Sequence, residues 1–160
     1  MTTNDQASRF QTLLDEHKRI LFKVCHCYCR NAPDREDLAQ EIVVQLWTSF
    51  GRYDPRQRFS TWMYRVALNV AISFYRRERT RTRHVIADEE KVLIATDESS
   101  RPPEEIRALY EVIERLDELN RALLLLYLDG NNYEEIAAVL GISETNVATK
   151  INRLKNSMRQ

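Results

Sequence analysis

Between Tyr64 and Arg83 the chain sets out side chains of three chemical kinds at helical spacing: Tyr64, Arg65, Asn69, Tyr75 and Arg76, with Arg77, Arg79, Arg81 and Arg83 just beyond. Arginine neutralises phosphate, tyrosine can stack on a base, and asparagine can hydrogen-bond a base edge. A surface that carries all three suits nucleic acid. Such groups need a rigid support, and the same stretch supplies it. Phe59, Trp62, Met63, Val66, Ala67, Val70, Ala71 and Phe74 recur at i, i+3, i+4 and i+7, the pattern of an amphipathic helix with one face in a core. Ser60 or Thr61 is its expected cap.

A second set of such residues lies near the C-terminus. Asn132 followed by Glu135 reads as a capping box. Ile136, Ala137 and Leu140 face a core, Gly141 permits a sharp turn, Ile142 plugs the core, and Ser143 caps the next helix. Val147, Ile151 and Leu154 anchor that helix by one face, leaving Thr145, Asn146, Thr149, Lys150 and Arg153 on the other. This is a helix-turn-helix whose second helix can enter a major groove.

The elements between them follow from periodicity and turn residues. Phe10, Leu13, Leu14, His17, Leu21, Val24 and Tyr28 give one stripe, so a first helix is expected from about Gln6 to Arg30. Asn31-Ala-Pro-Asp34 is a turn, with Asp34 as the expected cap of a helix running to about Phe50. Residues 51–58 read as a loop, rich in turn formers and arginine. Val85 to Pro103 has no sustained period and reads as a linker, with Pro103 at a helix N1 position. Ile106, Leu109, Tyr110, Ile113 and Leu116 define another stripe, and Asp117 caps a helix that Gly130 stops.

Three glycines and four prolines in 160 residues, with few β-branched runs, argue for an all-α fold. The expected organisation is two small helical domains, residues 6–84 and 104–158, joined by a flexible acidic linker over 85–103. The net charge of zero hides an uneven distribution. Residues 1–85 carry fifteen Lys+Arg against nine Asp+Glu, residues 86–119 four against eleven, and residues 120–160 five against four. A basic, an acidic and a near-neutral part suggest different partners. No apolar run approaches the roughly 20 residues of a membrane-spanning helix, and no secretory signal is seen, so a cytoplasmic location is expected.

No catalytic set competes with binding. His17, His26 and His84 fall on separate elements, and there is no nucleophile elbow, phosphate loop or metal signature. The chain is therefore not expected to be an enzyme, nor to hold a metal or cofactor. The spacing of Cys25, Cys27 and Cys29 is too tight for a zinc knuckle. They read as small semi-buried residues in a reducing compartment. The alternative is a redox or metal sensor built on Cys25, His26 and Cys29.

Three segments in this order resemble one family. Asp34-Arg-Glu-Asp-Leu-Ala-Gln-Glu41, Phe59-Ser-Thr-Trp-Met-Tyr-Arg-Val-Ala-Leu-Asn69, and Tyr133-Glu-Glu-Ile-Ala through Arg153 are similar to those of a bacterial extracytoplasmic-function RNA polymerase sigma factor of the sigma-70 family. The resemblance implies a first domain that binds the clamp of the polymerase large subunit and recognises the −10 promoter element. It implies a second domain that meets the flap and recognises the −35 element. The family's clamp-binding pattern falls on Asp34, Asp37, Leu38, Gln40 and Glu41. Spacing agrees, since Asp34, Asp37 and Glu41 at i, i+3 and i+7 form an acidic ridge suited to a basic surface. For the −10 element the resemblance implies Tyr53, Arg56, Arg58, Tyr64, Arg65, Asn69, Arg76 and Arg77. Asn69 falls where an amide enters toward an unstacked base, and the loop from Tyr53 to Arg58 where a flipped base is received. For the −35 element it implies Thr145, Asn146, Thr149, Lys150 and Arg153. Two departures stand out. Arg65 and Val66 occupy the places of the paired tryptophans of housekeeping sigma factors, which suggests weaker melting and stricter promoter choice. Ala148 stands where a basic residue is usual. The acidic linker is expected to thread the RNA exit path, where negative charge mimics RNA.

The expected partners are thus core RNA polymerase, promoter DNA and an anti-sigma factor, with no small-molecule substrate and a monomeric free state. Two other readings remain open. A stand-alone helix-turn-helix regulator would dimerise, with Leu119–Leu128 as a dimerisation helix. A self-associating protein would pair its basic Arg76–Arg83 stretch with its acidic Asp88–Glu118 stretch, giving an autoinhibited form.

Overall fold

The computed structural model describes residues 3–85 and 103–159, with side chains over 3–81 and 103–159. Every regular element among them is helical: α1 (Thr3–Glu16), α2 (Lys18–Tyr28), α3 (Ala32–Ser49), a 3₁₀ turn (Phe50–Arg52), α4 (Phe59–Val85), α5 (Glu104–Glu114), α6 (Glu118–Leu128), α7 (Tyr133–Leu140) and α8 (Glu144–Met158). The expected linker lies almost wholly outside the described residues. At its edges, Val85 is still helical, and Pro103 is the cap of α5, one position before the expected N1.

The N-terminal module packs α2, α3 and α4 on one another. Val24, Leu38, Ile42, Leu46, Met63, Ala67 and Ala71 form its solvent-free centre. α1 closes one end through Phe10, whose ring meets Trp47 and Phe50 at 5.3 and 5.2 Å. The expected single helix from Gln6 to Arg30 is broken at His17. There the backbone leaves helical geometry (φ −117°, ψ 18°), and the His17 ring sits 4.9 Å from that of Phe59, with Nδ1 2.9 Å from the Leu13 carbonyl oxygen. The apolar period runs through the break unchanged, so periodicity alone does not reveal it.

Short-range capping chemistry fixes most of the other ends. Asn31, rather than Asp34, caps α3. Its side chain accepts from the Asp34 N–H at 2.9 Å and donates to the Asp34 carboxylate at 3.0 Å. α4 begins at Phe59, so Ser60 and Thr61 lie inside its first turn instead of capping it. Asp117, Asn132 and Ser143 cap as their sequence positions predict, accepting from the N–H three residues on at 2.8, 2.8 and 3.0 Å. The capping box at Asn132 is half made, because the Glu135 carboxylate turns instead toward Arg58 at 3.8 Å. Gly141 adopts φ 71°, the left-handed geometry that ends α7 and sets the angle to α8. Ser143→Ala should cost about 1 kcal/mol and lower the melting temperature by roughly 2–4 °C, read by far-UV circular dichroism. An unchanged melting curve would make the hydroxyl dispensable.

The C-terminal module is built around α6. Arg121 to Leu126 are six consecutive buried residues, and a helix apolar nearly all round must be covered on every side. Ile136, Val139, Val147, Ile151 and Leu154 cover one side. The other side rests on α2 and α4 of the N-terminal module. This packing covers Arg121–Leu126, the greater part of the Leu119–Leu128 surface that a dimerising regulator would need, and leaves Leu128 exposed.

Candidate polymerase and nucleic-acid interface

α3 and α4 are packed side by side, and a groove of about 1100 Å³ opens where their outer faces meet. Asp37, Gln40 and Glu41 of α3 line one wall; Asn69, Ser73 and Arg77 of α4 line the other. Asp37, Gln40, Glu41 and Asn69 are all exposed. Glu41 accepts from Arg77 Nη2 at 2.7 Å across the groove, and the Arg77 guanidinium also lies 5.7 Å from the centre of the Phe74 ring. An acidic ridge and an amide-and-cation face thus share one concavity. The expected ridge is shorter than its sequence pattern. Asp34 is half-buried and engaged with Asn31. Leu38 is fully buried, so it anchors α3 in the core and leaves contact to its polar neighbours.

The other side chains expected at the −10 element are scattered more widely. Arg65 is exposed one helical turn before Asn69. Tyr53 is half-buried, its ring 5.1 Å from Trp62 and 5.5 Å from Phe59, and its hydroxyl donates to the Gln57 carbonyl at 2.7 Å. That bond closes the 53–58 loop, so Tyr53 shapes the loop and does not project from it. Arg56 folds back on Asp54 at 3.1 Å, and Asp54 is held below the usual carboxylate range by its hydrogen bonds from the Arg56 side chain and backbone. Arg58 reaches Glu135, and Arg76 donates to Glu118 at 3.0 Å, both across to the C-terminal module.

Tyr64 requires a correction. Its spacing puts it on the outer face, but it is 2% exposed and donates its hydroxyl to the Asp129 carboxylate. Burial, with that carboxylate beside it, pushes its phenol pKa upward. α4 is buried on two sides, because the C-terminal module meets Tyr64 and Tyr75, beyond the expected stripe; Val66 and Val70, within that stripe, are half-buried at the groove. The side chain of Arg83 lies outside the described residues.

On α8 the expected face is assembled as the sequence predicts. Thr145, Asn146, Thr149 and Arg153 are exposed and Lys150 is half-buried, opposite the buried Val147, Ile151 and Leu154. The Thr149 hydroxyl donates to the Thr145 carbonyl at 3.0 Å.

The cysteines are buried, where the sequence predicts half-burial. Cys27 is covered by the C-terminal module, whose Arg121 bonds its carbonyl. Burial raises the thiol pKa values to about 11 for Cys25 and about 12 for Cys27 and Cys29. A group held as the neutral thiol is a poor nucleophile and ligand, which removes the support for a sensor on Cys25, His26 and Cys29.

Spacing did not reveal Lys23, Glu118, Arg121 and Asp129, which join the two modules. The available signal was Arg121 itself, a charged residue opening the run Ala122–Leu128.

Comparison with known proteins agrees with this geometry. The family model for sigma-70 region 2 matches residues 13–81, and that for sigma-70 region 4 matches residues 106–158. The chain is 32% identical over 136 residues to the RNA polymerase sigma factor CarQ of Myxococcus xanthus, covering 82% of this chain and 76% of that protein. It is 24% identical over 169 residues to the ECF RNA polymerase sigma factor SigW of Bacillus subtilis, covering 94% and 87%. Its fold superposes with a TM-score of 0.64 on the sigma factor RpoE of Bartonella quintana, crystallised with the anti-sigma factor NepR, at 18% identity and covering 96% and 94% of the two chains. With region 2 matched on the N-terminal module, region 4 on the helix-turn-helix and ECF sigma factors among its relatives, this chain belongs to the extracytoplasmic-function branch of the sigma-70 family, the sigma factors that direct RNA polymerase to promoters.

Proposed function

We infer that the chain divides promoter recognition and polymerase binding among three surfaces. The exposed ridge of Asp37, Gln40 and Glu41 docks on the basic clamp surface of core RNA polymerase, with Leu38 holding α3 in place from within and Asp34 fixing its first turn. Asn69, Arg65 and Arg77 meet the unpaired strand of the −10 element, with Arg56, Arg58 and Arg76 supplying phosphate contacts. The exposed face of α8, from Thr145 to Arg153, enters the major groove at the −35 element. The observation that supports this reading is the shared groove, in which the carboxylates of Asp37 and Glu41 and the amide of Asn69 stand on facing helices. A protein that must hold polymerase and catch a base as the duplex opens beside it needs that juxtaposition. The protein acts where RNA polymerase acts, in the cytoplasm, and an anti-sigma factor is its regulatory partner, the kind of protein with which the RpoE relative is crystallised.

Asn69→Ala tests the strand-binding assignment. With core polymerase and a cognate promoter, duplex association should stay within about twofold. Formation of the heparin-resistant open complex should fall by roughly 10-fold, the value of one to two kcal/mol of lost base contact. Equal loss of both steps would remove Asn69 from base recognition.

A further inference from the structure

Arg121 is the one buried charged side chain among the described residues, 5% exposed. Its guanidinium hydrogen-bonds to neutral oxygens. Nε donates to the Leu116 carbonyl at 2.9 Å and Nη2 to the Glu114 carbonyl at 2.8 Å, both in its own module. Nη1 donates to the Cys27 carbonyl at 2.9 Å, across the module boundary. That carbonyl lies in the last turn of α2, where helix carbonyls lack partners and the helix dipole is negative. The guanidinium is further flanked by the rings of Tyr75 and Tyr28, at 4.6 and 5.9 Å from their centres, a cation–π arrangement.

The other end of α6 is pinned too. Asp129, its cap, accepts from Tyr64 and is ion-paired with Lys23. At the start of α6, next to the Arg121 pin, the Tyr28 hydroxyl donates to the Glu118 carbonyl at 2.6 Å. Ion pairs lie around them: Arg76–Glu118, Arg30–Glu114 and Arg58–Glu135. The closure anticipated from opposite charge is therefore real at Arg76–Glu118, but its centre is a buried cation on carbonyl and aromatic partners.

We propose that Arg121 and Asp129 are a latch that holds the free protein closed on itself, so that the C-terminal module masks part of the strand-binding surface of the N-terminal module. Tyr64 is covered, and Arg58 and Arg76 are tied to Glu135 and Glu118. The α3 ridge, Asn69 and the α8 face stay open, so polymerase can engage the closed form. The closed form cannot serve both promoter elements. The −35 and −10 elements lie about 25 base pairs apart, roughly 85 Å at 3.4 Å per pair, whereas a compact chain of this length has a radius of gyration of roughly 15 Å. Polymerase binding must therefore pull Arg121 out of its seat. The masking half of this proposal rests on the −10 assignment above; the latch itself rests on the contacts alone.

The test uses the full chain, with dyes on Gln11→Cys and Asn156→Cys. Both sites are exposed, and the three native thiols are buried and do not compete. Energy transfer should be high in this protein and fall in Arg121→Gln. Because Arg121 also braces its own module, Tyr75→Ala approaches the latch from the N-terminal module and Asp129→Ala from the far end of α6; unchanged far-UV circular dichroism shows that they fold. In Asp129→Ala, affinity of the free chain for a fluorescein-labelled mixed-sequence single strand should rise by on the order of tenfold, as a masked state is lost. Glu134→Ala, the same charge change at an exposed position, should leave it unchanged. Low transfer in the unaltered chain, or high transfer retained in all three latch variants, overturns the latch. Opening without a gain in DNA affinity upholds the latch and overturns the assignment of Arg58 and Arg76 to the DNA surface.

Discussion

Replacing Asp37 and Glu41 together by lysine should weaken binding to core RNA polymerase by roughly 30- to 1000-fold, about 2–4 kcal/mol, while the protein remains folded. The fold is spared because both carboxylates are exposed and neither carries much stability. Asp37 makes no ion pair among the described residues, and Glu41 pairs with Arg77 on the open surface, its side chain 43% exposed against 62% for the arginine. Such surface pairs contribute about 0–1 kcal/mol. In the complex the balance changes. In the proposed docking a reversed charge would face a basic clamp in a desolvated contact, where placing like charges together costs several kcal/mol. Glu36→Lys is the control. It changes net charge on the same helix, but Glu36 does not line the groove, so it should alter the on-rate slightly and the dissociation rate hardly at all. Titration of labelled polymerase at fixed ionic strength reads all three proteins. If the double reversal binds like the unaltered chain, α3 is not the docking element.

The features that could be read ahead of the structure were those whose cause lies within a few residues. Asp117, Asn132 and Ser143 cap because a short acceptor three residues before a free N–H is enough, and Gly141 turns because it lacks a Cβ. The α8 face was legible because one buried side defines the other. The exposed carboxylates of α3 were legible by their spacing, but as a motif that also named Leu38, which the helix turns into the core. What stayed hidden depends on partners far along the chain. Tyr64 looks outward by periodicity, and tyrosine tolerates either environment; its burial depends on Asp129, 65 residues away. Arg76 and Arg58 read as free cations until Glu118 and Glu135 are brought to them. The break at His17 was hidden for another reason: the apolar stripe continues through it, while the backbone does not. A helix apolar on every side did announce that something covers it, though not what.

That uncovered clue yields the second large effect, at α6. Leu126 is 0% exposed, and Leu128, two residues on, is 52% exposed. Leu126→Ala leaves a cavity in the packing around α6 and should cost about 2–5 kcal/mol. That is a large share of the roughly 5–15 kcal/mol that hold a typical domain together. Leu128→Ala removes atoms that already touch water and should fall within about 0.5 kcal/mol of the unaltered chain. Urea unfolding followed at 222 nm measures both, and the same samples should melt independently of protein concentration. A dimerising regulator would reverse this pattern. If α6 were a seam between copies, exposed Leu128 would be part of the interface, its truncation would be costly, and stability would rise with concentration. The position of the penalty, at the residue facing inward or the one facing out, thus decides whether α6 closes one molecule or joins two.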